Sequence, residues 1–201
     1  MTFVLAVLFL QANPVALEND YVRITRDAAP CSSAATPGCG DRVIVALSDV
    51  ELRAGNSSRM LTRGDIAVFT HGESYELPTG GSFFEVAFKA DHPPVESPDE
   101  LIPPAKNAML YDGERFFVFE ERLAVGDTRA RHSHSQRVVI QLNRTRLQQW
   151  PDGQPEIIRD IVPEIAKFNA PVIHTVKNVG ELPLRGIVIE FKPERPVPPS
   201  R

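Results

Sequence analysis

The sequence predicts an all-β protein built from two similar sandwich or barrel units in tandem. After residue 17, short runs of β-branched and aromatic residues recur between Gly, Asn, Asp and Pro, which is the pattern of strands joined by turns. An internal repeat and two proline-rich stretches divide these runs into two sets. The runs lie at residues 21–24, 43–47, 66–69, 83–88, 116–119, 138–142 and 187–191.

The internal repeat is carried by three markers in the same order. The first is a gapless match in which Asp-Arg-Val-Ile-Val-Ala-Leu aligns with Gln-Arg-Val-Val-Ile-Gln-Leu. An Ile-Ala-x-Phe segment follows in each copy, and each copy ends in an apolar run closed by Phe-Lys. The markers lie at residues 41–52, 66–69 and 88–89 in the first copy and at 136–147, 165–168 and 191–192 in the second. Repeated order of this kind predicts two units of about 75–85 residues.

Proline marks the boundaries of these units, because it cannot donate a hydrogen bond to a strand or helix ladder. The chain has 18 prolines, concentrated between Pro93 and Pro104 and between Pro193 and Pro199. One short helix is expected near residues 97–101. The predicted organisation is an N-terminal segment at 1–16, a first unit at 17–90, a proline-rich linker at 91–109, a second unit at 110–192 and a proline-rich tail at 193–201.

The N-terminus predicts export. Residues 2–10 form an apolar run that is too short to cross a bilayer as a helix, and Ala12 or Ala16 could stand at a cleavage point. The basic residues that normally precede such a run are missing, so a buried first strand or a misassigned start remains an alternative. The expected location is periplasmic or secreted, and otherwise cytoplasmic.

The two cysteines bear on the cellular compartment, and the net charge bears on the kind of partner. Cys31 and Cys39 are the only cysteines, and they lie in one Ser-, Ala-, Pro- and Gly-rich loop. In an exported protein they would form a disulfide, whereas in a reducing compartment they would be two free thiols. The net charge is −4 with no block of Lys or Arg, which argues against a nucleic-acid partner.

Three of the five histidines are candidate ligands of a single metal site. His132 and His134 are separated by one residue, and on a strand such residues point to the same face. His174 lies in a second β-rich run and is the candidate third ligand. Imidazole nitrogen suits divalent Fe, Zn, Ni or Mn. Gln141 and Arg131 are polar neighbours that could orient the imidazoles or a bound ligand.

These histidines stand in a pattern that resembles the cupin superfamily. Gly126, five residues and then the His132–His134 pair resemble the first cupin motif, and His174 followed four residues later by Asn178 resembles the end of the second. The resemblance implies two tandem jelly-roll (double-stranded β-helix) barrels with a metal held inside the second. It covers both repeats, so the chain resembles a bicupin whose first barrel is degenerate.

The departures from the cupin pattern are specific. Cupins usually carry a glutamate three to five residues after the second histidine, and here that window holds Arg137 and two valines. A cation beside a dication is repelled, so Arg137 is expected to point away or to pair with an acid. The matching Arg42 in the first repeat favours a structural role for this position. We therefore expect three histidine ligands with open coordination positions.

The first repeat is expected to hold no metal. On the alignment, Pro37 and Cys39 stand where the paired histidines of the second repeat stand, and Tyr75 falls opposite His174. The remaining histidines, His71 and His92, lie in loop-like surroundings and are expected to be solvated.

The resemblance implies a function without deciding the reaction. Among three-histidine cupins the dioxygenases resemble this chain best, so oxygenative cleavage of a small organic substrate is the preferred reaction. Isomerases and decarboxylases use the same barrel, and the fold does not decide between them. The alternative is a non-catalytic bicupin that binds a small ligand or has a structural or storage role. No catalytic residue is assigned. The expected partners are a small molecule and, because cupins often pair through their sheets, a second copy; no membrane span is expected in the mature form.

Overall fold

The computed structural model describes residues 14–33, 35–103 and 107–193, and over these residues the protein is all-β, as predicted. The described chain contains no helix, and therefore none that could cross a membrane. The first repeat contributes β1 (Val15–Glu18), β2 (Val22–Arg26), β3 (Cys39–Ala46), β4 (Val50–Ala54), β5 (Ser57–Leu61), β6 (Ile66–Phe69) and β7 (Phe83–Lys89). The second contributes β8 (Ala108–Asp112), β9 (Phe116–Leu123), β10 (Thr128–His134), β11 (Arg137–Gln141), β12 (Thr145–Pro151), β13 (Ile157–Ile161), β14 (Ala166–Asn169), β15 (Val172–Asn178) and β16 (Leu184–Phe191).

The sheet topology repeats as the sequence does. The first repeat forms a five-stranded sheet in the order β1-β2-β7-β3-β6, and the second forms one in the matching order β8-β9-β16-β11-β14. A second layer accompanies each of them. In the second repeat it is the four-stranded sheet β10-β15-β12-β13, which completes a jelly roll, whereas in the first repeat it is only the hairpin β4-β5.

The largest hydrophobic core lies between the two repeats. Strand β3 shows how it forms, because Val43 and Val45 pack into this shared core while Ile44 packs into the interior of the first repeat. Both faces of the strand are buried, which explains its continuous apolar run. The core draws residues from both five-stranded sheets, including Val43, Val45, Phe84, Val86, Phe88, Phe116, Val118, Val138, Ile140, Ile187, Ile189 and Phe191.

A polar bridge also joins the repeats. Glu164 of the second repeat accepts hydrogen bonds from Arg26, at 2.6 Å, and from Arg63, at 2.9 Å. Arg63 also donates to the carbonyl oxygen of Leu142. The two arginine hydrogen bonds hold the pKa of the Glu164 carboxyl below its usual range. The carboxylate therefore stays charged and bridges two cations of the other repeat.

The prediction of a helix at residues 97–101 is wrong. Pro98 has no backbone N–H, and the backbone groups that flank it bond to the second repeat instead of to a helical turn. The carbonyl of Glu96 accepts from the N–H of Gln136 at 3.1 Å. The N–H of Ile102 donates to the Ser133 hydroxyl at 2.7 Å. This part of the linker therefore runs irregularly across the start of the second repeat.

The structure shows a disulfide between Cys31 and Cys39, with their Cα atoms 5.7 Å apart. The apolar run at residues 2–10 and the candidate cleavage residue Ala12 lie outside the described residues, whereas Ala16 lies in β1. All but one residue of the predicted tail, 193–201, also lies outside them. The division of the chain at residues 90 and 110 stays a prediction.

Candidate metal centre

Two neighbouring strands bring the three histidines together. His132 and His134 lie on β10, and antiparallel pairing with β15 places His174 directly opposite His132. His134 is two residues further along β10 and therefore projects from the same face. All three side chains are buried. The convergence expected from the His-x-His spacing and the distant His174 is thus present in the structure.

The ring nitrogens of the three histidines face one another. The Nε2 atoms of His132 and His174 are 3.1 Å apart, and one nitrogen from each of the three rings lies within 4.8 Å of the others. The Nδ1 atoms of His132 and His134 are engaged elsewhere: His132 donates to the carbonyl of Ala130 at 2.8 Å, and His134 contacts Glu190 at 2.7 Å. These partners leave the Nε2 lone pairs of both rings directed into the cluster.

Burial keeps the histidines neutral. It lowers the pKa of His132, lowers that of His134 well below its usual range, and lowers that of His174 to about 2. The positive charges of Arg129 and Arg137 act in the same direction. At neutral pH the cluster therefore presents unprotonated imidazoles, the form in which histidine binds metals.

Glu190 on β16 supports the cluster and was not predicted. One carboxylate oxygen contacts Nδ1 of His134, and the other accepts the backbone N–H of Ser135 at 2.8 Å. Burial raises the pKa of Glu190 to about 7, although the Ser135 N–H and Arg137 favour the charged form. A carboxylate in this place fixes the tautomer of His134 and makes its Nε2 a better electron-pair donor. The sequence signal was an acid within the apolar run at residues 187–191, since acids are rarely buried without a partner.

A cavity of about 120 Å³ lies beside His134 and His174, inside the second repeat. Its apolar wall is formed by Val139, Leu147, Ile161, Val176 and Val188. Its polar wall includes Gln141, Gln149 and Asn169, together with charged side chains on β11, β13 and β14. The described residues also outline a wider open cleft of about 940 Å³ near His92 and Arg115, and none of the three clustered histidines lines it. We take the smaller cavity as the relevant one, because it adjoins the ring nitrogens.

The expectation that Arg137 points away from the histidines is wrong, and the acids whose charges act on it, Glu190 and Glu121, lie beyond ion-pair contact. Its side chain is buried, lines the cavity with His134 and His174, and makes no ion pair with any carboxylate of the described chain. Its Nη1 donates to two backbone carbonyls, Ser135 at 3.2 Å and Ala170 at 3.0 Å. These hydrogen bonds fix the guanidinium in place.

The structural role inferred from Arg42 is visible in the same contacts. Arg42 Nη1 donates to the carbonyls of Gly40 and Thr70, each at 2.9 Å. In both repeats, therefore, the arginine bonds to the residue two positions before it and to the residue that follows the neighbouring strand. Both arginines thus tie two strands together through backbone carbonyls.

The two candidate orienting residues have different positions. Gln141 lines the cavity, and its Oε1 atom is buried without a hydrogen-bond partner among the described residues. Arg131 lies on the outer face of β10, where it contacts Asp152 at 2.7 Å and Glu100 at 2.9 Å. Because adjacent strand residues point to opposite faces, Arg131 is directed away from its neighbour His132. Its expected role beside the histidines is therefore wrong.

The first repeat has no corresponding cluster among its described residues. Cys39 is held in the disulfide, and Tyr75, aligned with His174, donates its hydroxyl hydrogen bond to Glu85. His71 is exposed, as expected. His92 is half-buried, with its ring 5.7 Å from that of Tyr21 and its Nε2 3.0 Å from Arg115, so the expectation that it is fully solvated is not met.

No known family profile matches the chain, and no curated protein is similar to it in sequence. Several solved structures are similar in fold. A protein described as glyoxylate-induced, from Pseudomonas aeruginosa, is 12% identical over 93% of this chain and 88% of its own, with a TM-score of 0.59. AerE from Microcystis aeruginosa is 14% identical over 87% and 88% of the two chains, with a TM-score of 0.55. A cupin 2 conserved barrel domain protein from Leptotrichia buccalis is 15% identical over 88% and 86%, with a TM-score of 0.50.

The chain has the cupin fold. The resemblance recognised in the motifs around Gly126 and His174 is confirmed at this level. At these sequence identities the similarity establishes the architecture alone, whereas the activity of the protein has to be argued from its own residues.

Proposed function

We propose that this cupin binds a divalent metal through His132, His134 and His174 and uses it to hold a small organic molecule. The observation that carries the proposal is the convergence of three buried, neutral imidazoles on one point. Nitrogen ligands of this kind suit Fe, Zn, Ni or Mn. Three protein ligands leave coordination positions open, which is the arrangement of catalytic rather than structural sites.

The residues around the histidines support this use of the site. Glu190 holds the ring of His134, and the adjoining cavity offers both apolar side chains and hydrogen-bonding groups to a small molecule. When bound, a divalent metal supplies Lewis acidity or, as iron, redox chemistry. Oxygenative cleavage of a small substrate is the reaction we propose for the iron form, on the resemblance to three-histidine cupins.

The metal proposal is tested by His174→Ala, with His71→Ala as the matched control because His71 is an exposed histidine outside the cluster. Loss of a residue that only supports a metal ligand lowers metal affinity by up to about 100-fold. Loss of the ligand His174 itself is expected to lower it by more than that. The control should bind metal as the parent does. The measurements are elemental analysis of the purified protein and titration with Zn²⁺ and Fe²⁺. Unchanged affinity in His174→Ala, or no metal uptake by the parent, would overturn the proposal.

A second experiment separates catalysis from binding alone. The iron-loaded protein is supplied with oxygen and a panel of small organic substrates, and oxygen consumption is followed. Turnover that disappears in His132→Ala supports an enzyme. No turnover with any compound, together with a lower melting temperature in that variant, supports the alternative of a non-catalytic ligand-binding or structural cupin.

We further propose that the protein works in an oxidising compartment, the periplasm or the cell exterior. Its support is the Cys31–Cys39 disulfide, because such bonds persist where thiols are not kept reduced. Thiol labelling of the denatured protein from its native cells tests this directly. We expect no labelling until a reductant is added, and two labelled thiols without reductant would contradict it.

A further inference from the structure

We propose that the cavity beside the histidines selects small organic acids and that Arg137 binds their carboxylate. The inference rests on the proposed function, because the open positions of a metal held by the three histidines would adjoin the same cavity. It names the substrate class, which neither the fold nor the histidines define. The argument comes from unused hydrogen-bond donors, and from cations in the cavity wall that make no ion pair.

The first observation is a difference between two equivalent arginines. Arg42 and Arg137 make matching Nη1 contacts to backbone carbonyls. In the first repeat the other terminal nitrogen, Nη2, donates to the carbonyl of Glu73, and the guanidinium lies 5.9 Å from the ring centre of Tyr75. In the second repeat, Nη2 of Arg137 has no acceptor among the described residues, and the side chain lines the cavity. The guanidinium of Arg137 is thus fixed in position, while its Nη2 donors have no acceptor among the described residues.

The second observation is the charge balance of the cavity wall. Three cations line it, Arg137, Arg159 and Lys167, and none of them makes an ion pair with a carboxylate in the described chain. The wall also contains two acids, but each is already paired with a cation from outside it. Glu121 contacts Arg129 at 2.6 Å, and Asp160 contacts Arg146 at 3.6 Å.

Strand pairing shows which of these charges face inward. Lys167 is paired with Val139, and Arg159 with Leu147, and both of these apolar partners are buried in the interior of the second repeat. Residues paired in register share a face of the sheet. The cavity-lining charges that make no ion pair are therefore positive, and a bound dication would add to them.

An anion would complete this site, because a buried cation that makes no ion pair gains most from an anionic partner in direct contact. Glu190 and Glu121 act on Arg137 only from beyond ion-pair contact. The flat fork of an arginine matches a carboxylate particularly well. The apolar wall favours an acid with a short carbon chain over an inorganic anion. A cavity of about 120 Å³ favours a small acid over a bulky one.

The test is binding of small acids and their neutral amides to the cobalt-loaded protein. Propionate, pyruvate and succinate are compared with propionamide and pyruvamide and with inorganic phosphate, using calorimetry and the visible spectrum of Co²⁺. We expect at least one carboxylate to bind about tenfold or more tightly than its amide, as a charge-assisted hydrogen bond implies. Phosphate should bind more weakly than that carboxylate.

Two variants locate the effect. Arg137→Gln should weaken carboxylate binding about ten- to hundredfold while amide binding changes little. The double variant Arg159→Gln/Lys167→Gln alters exposed side chains only. It should weaken carboxylate binding less, by about threefold. The double variant keeps the test decisive if Arg137→Gln does not fold. Arg42→Gln, the equivalent change in the first repeat, should leave carboxylate affinity unchanged.

The outcomes separate this inference from the metal proposal. If Co²⁺ does not bind to the parent protein, the proposed function fails. If Co²⁺ binds but carboxylates bind no better than amides, or phosphate binds as tightly as any carboxylate, only the inference about organic acids is overturned. Equal carboxylate affinity in the parent, Arg137→Gln and the double variant would likewise overturn it.

Discussion

The two repeats share one frame and differ where the histidines lie. Their five-stranded sheets have the same strand order, yet the second repeat has two strands, β10 and β15, that the first lacks. The described residues of the first repeat have loops in those places, at 27–38 and 70–82. Strands β10 and β15 pair with each other and carry all three histidines. The three histidines therefore come from one added strand pair, whereas Glu190 and Arg137 beside them lie on strands of the frame that both repeats possess.

The interiors differ for the same reason. In the first repeat, Tyr75 stacks on Phe69 with ring centres 4.2 Å apart, covers Arg42 and bonds to Glu85. This filling leaves the equivalent arginine with no space in front of it. In the second repeat the residue aligned with Tyr75 is His174, and a cavity adjoins it. One interior is used for packing and the other is available for a ligand.

The largest loss of stability is expected from a substitution in the hydrophobic core that the two repeats share. Ile189 is fully buried in the core shared by both sheets. Ile189→Ala should cost about 3 kcal/mol of unfolding free energy, because the cavity left behind cannot collapse fully. Chemical denaturation should still show one transition, since neither repeat can unfold without exposing the other. Ile158→Ala, at an exposed position, should change stability by less than about 0.5 kcal/mol. Two separate transitions would show that the core is not shared.

The pH dependence of the metal-free protein should be dominated by the second repeat. Burial lowers the pKa of its three histidines below 6.5, so below that pH the unfolded chain binds protons that the folded protein excludes, and stability falls. Glu190 acts in the opposite direction, because its pKa is raised from 4.5 to about 7 and the folded form binds its proton first. Burial also raises the pKa of Glu85 in the first repeat.

The three histidines lower stability as the pH falls, and the two buried acids raise it, each by up to about 1.4 kcal/mol per pH unit. A net loss of unfolding free energy on the order of 1–2 kcal/mol is therefore expected between pH 6.5 and pH 5. Urea midpoints measured in the presence of a chelator at several pH values check this. His174→Ala should flatten the dependence. A stability that rises as the pH falls through this window would show that the histidines are not held neutral.

The sequence was sufficient for the architecture and the histidines, and insufficient for their surroundings. The repeat markers and the spacing from Gly126 to His132 reflect local patterns, which a single sequence displays. The contact between Glu190 and His134 joins residues 56 positions apart, and no local pattern records it. The orientation of Arg137 was wrong for a related reason. Its direction is set by the carbonyl of Ala170 on another segment, and repulsion by a metal could not be weighed against that contact in advance.

A smaller effect, on metal affinity, should distinguish the buried acids Glu190 and Glu85. Glu190→Gln removes the carboxylate that holds His134 and should lower metal affinity about tenfold, the lower range for such supporting residues. Glu85→Gln is the matched change in the first repeat, where the acid bonds to Tyr75 and the N–H of Cys31. It should leave metal affinity unchanged while it alters the melting temperature. Equal metal affinity in the two variants would mean that Glu190 only contributes to stability.

The smallest effect is expected at the bridge between the repeats. Glu164→Gln removes the charge that pairs with Arg26 and Arg63, and all three side chains are about one-third exposed or more. Solvent screens such pairs, so the loss should be about 1 kcal/mol or less and should shrink further at high salt. Denaturation at low and high ionic strength measures it. If the loss matched that of Ile189→Ala, the repeats would be held together mainly by charge. A small, salt-sensitive loss instead assigns that role to the apolar core.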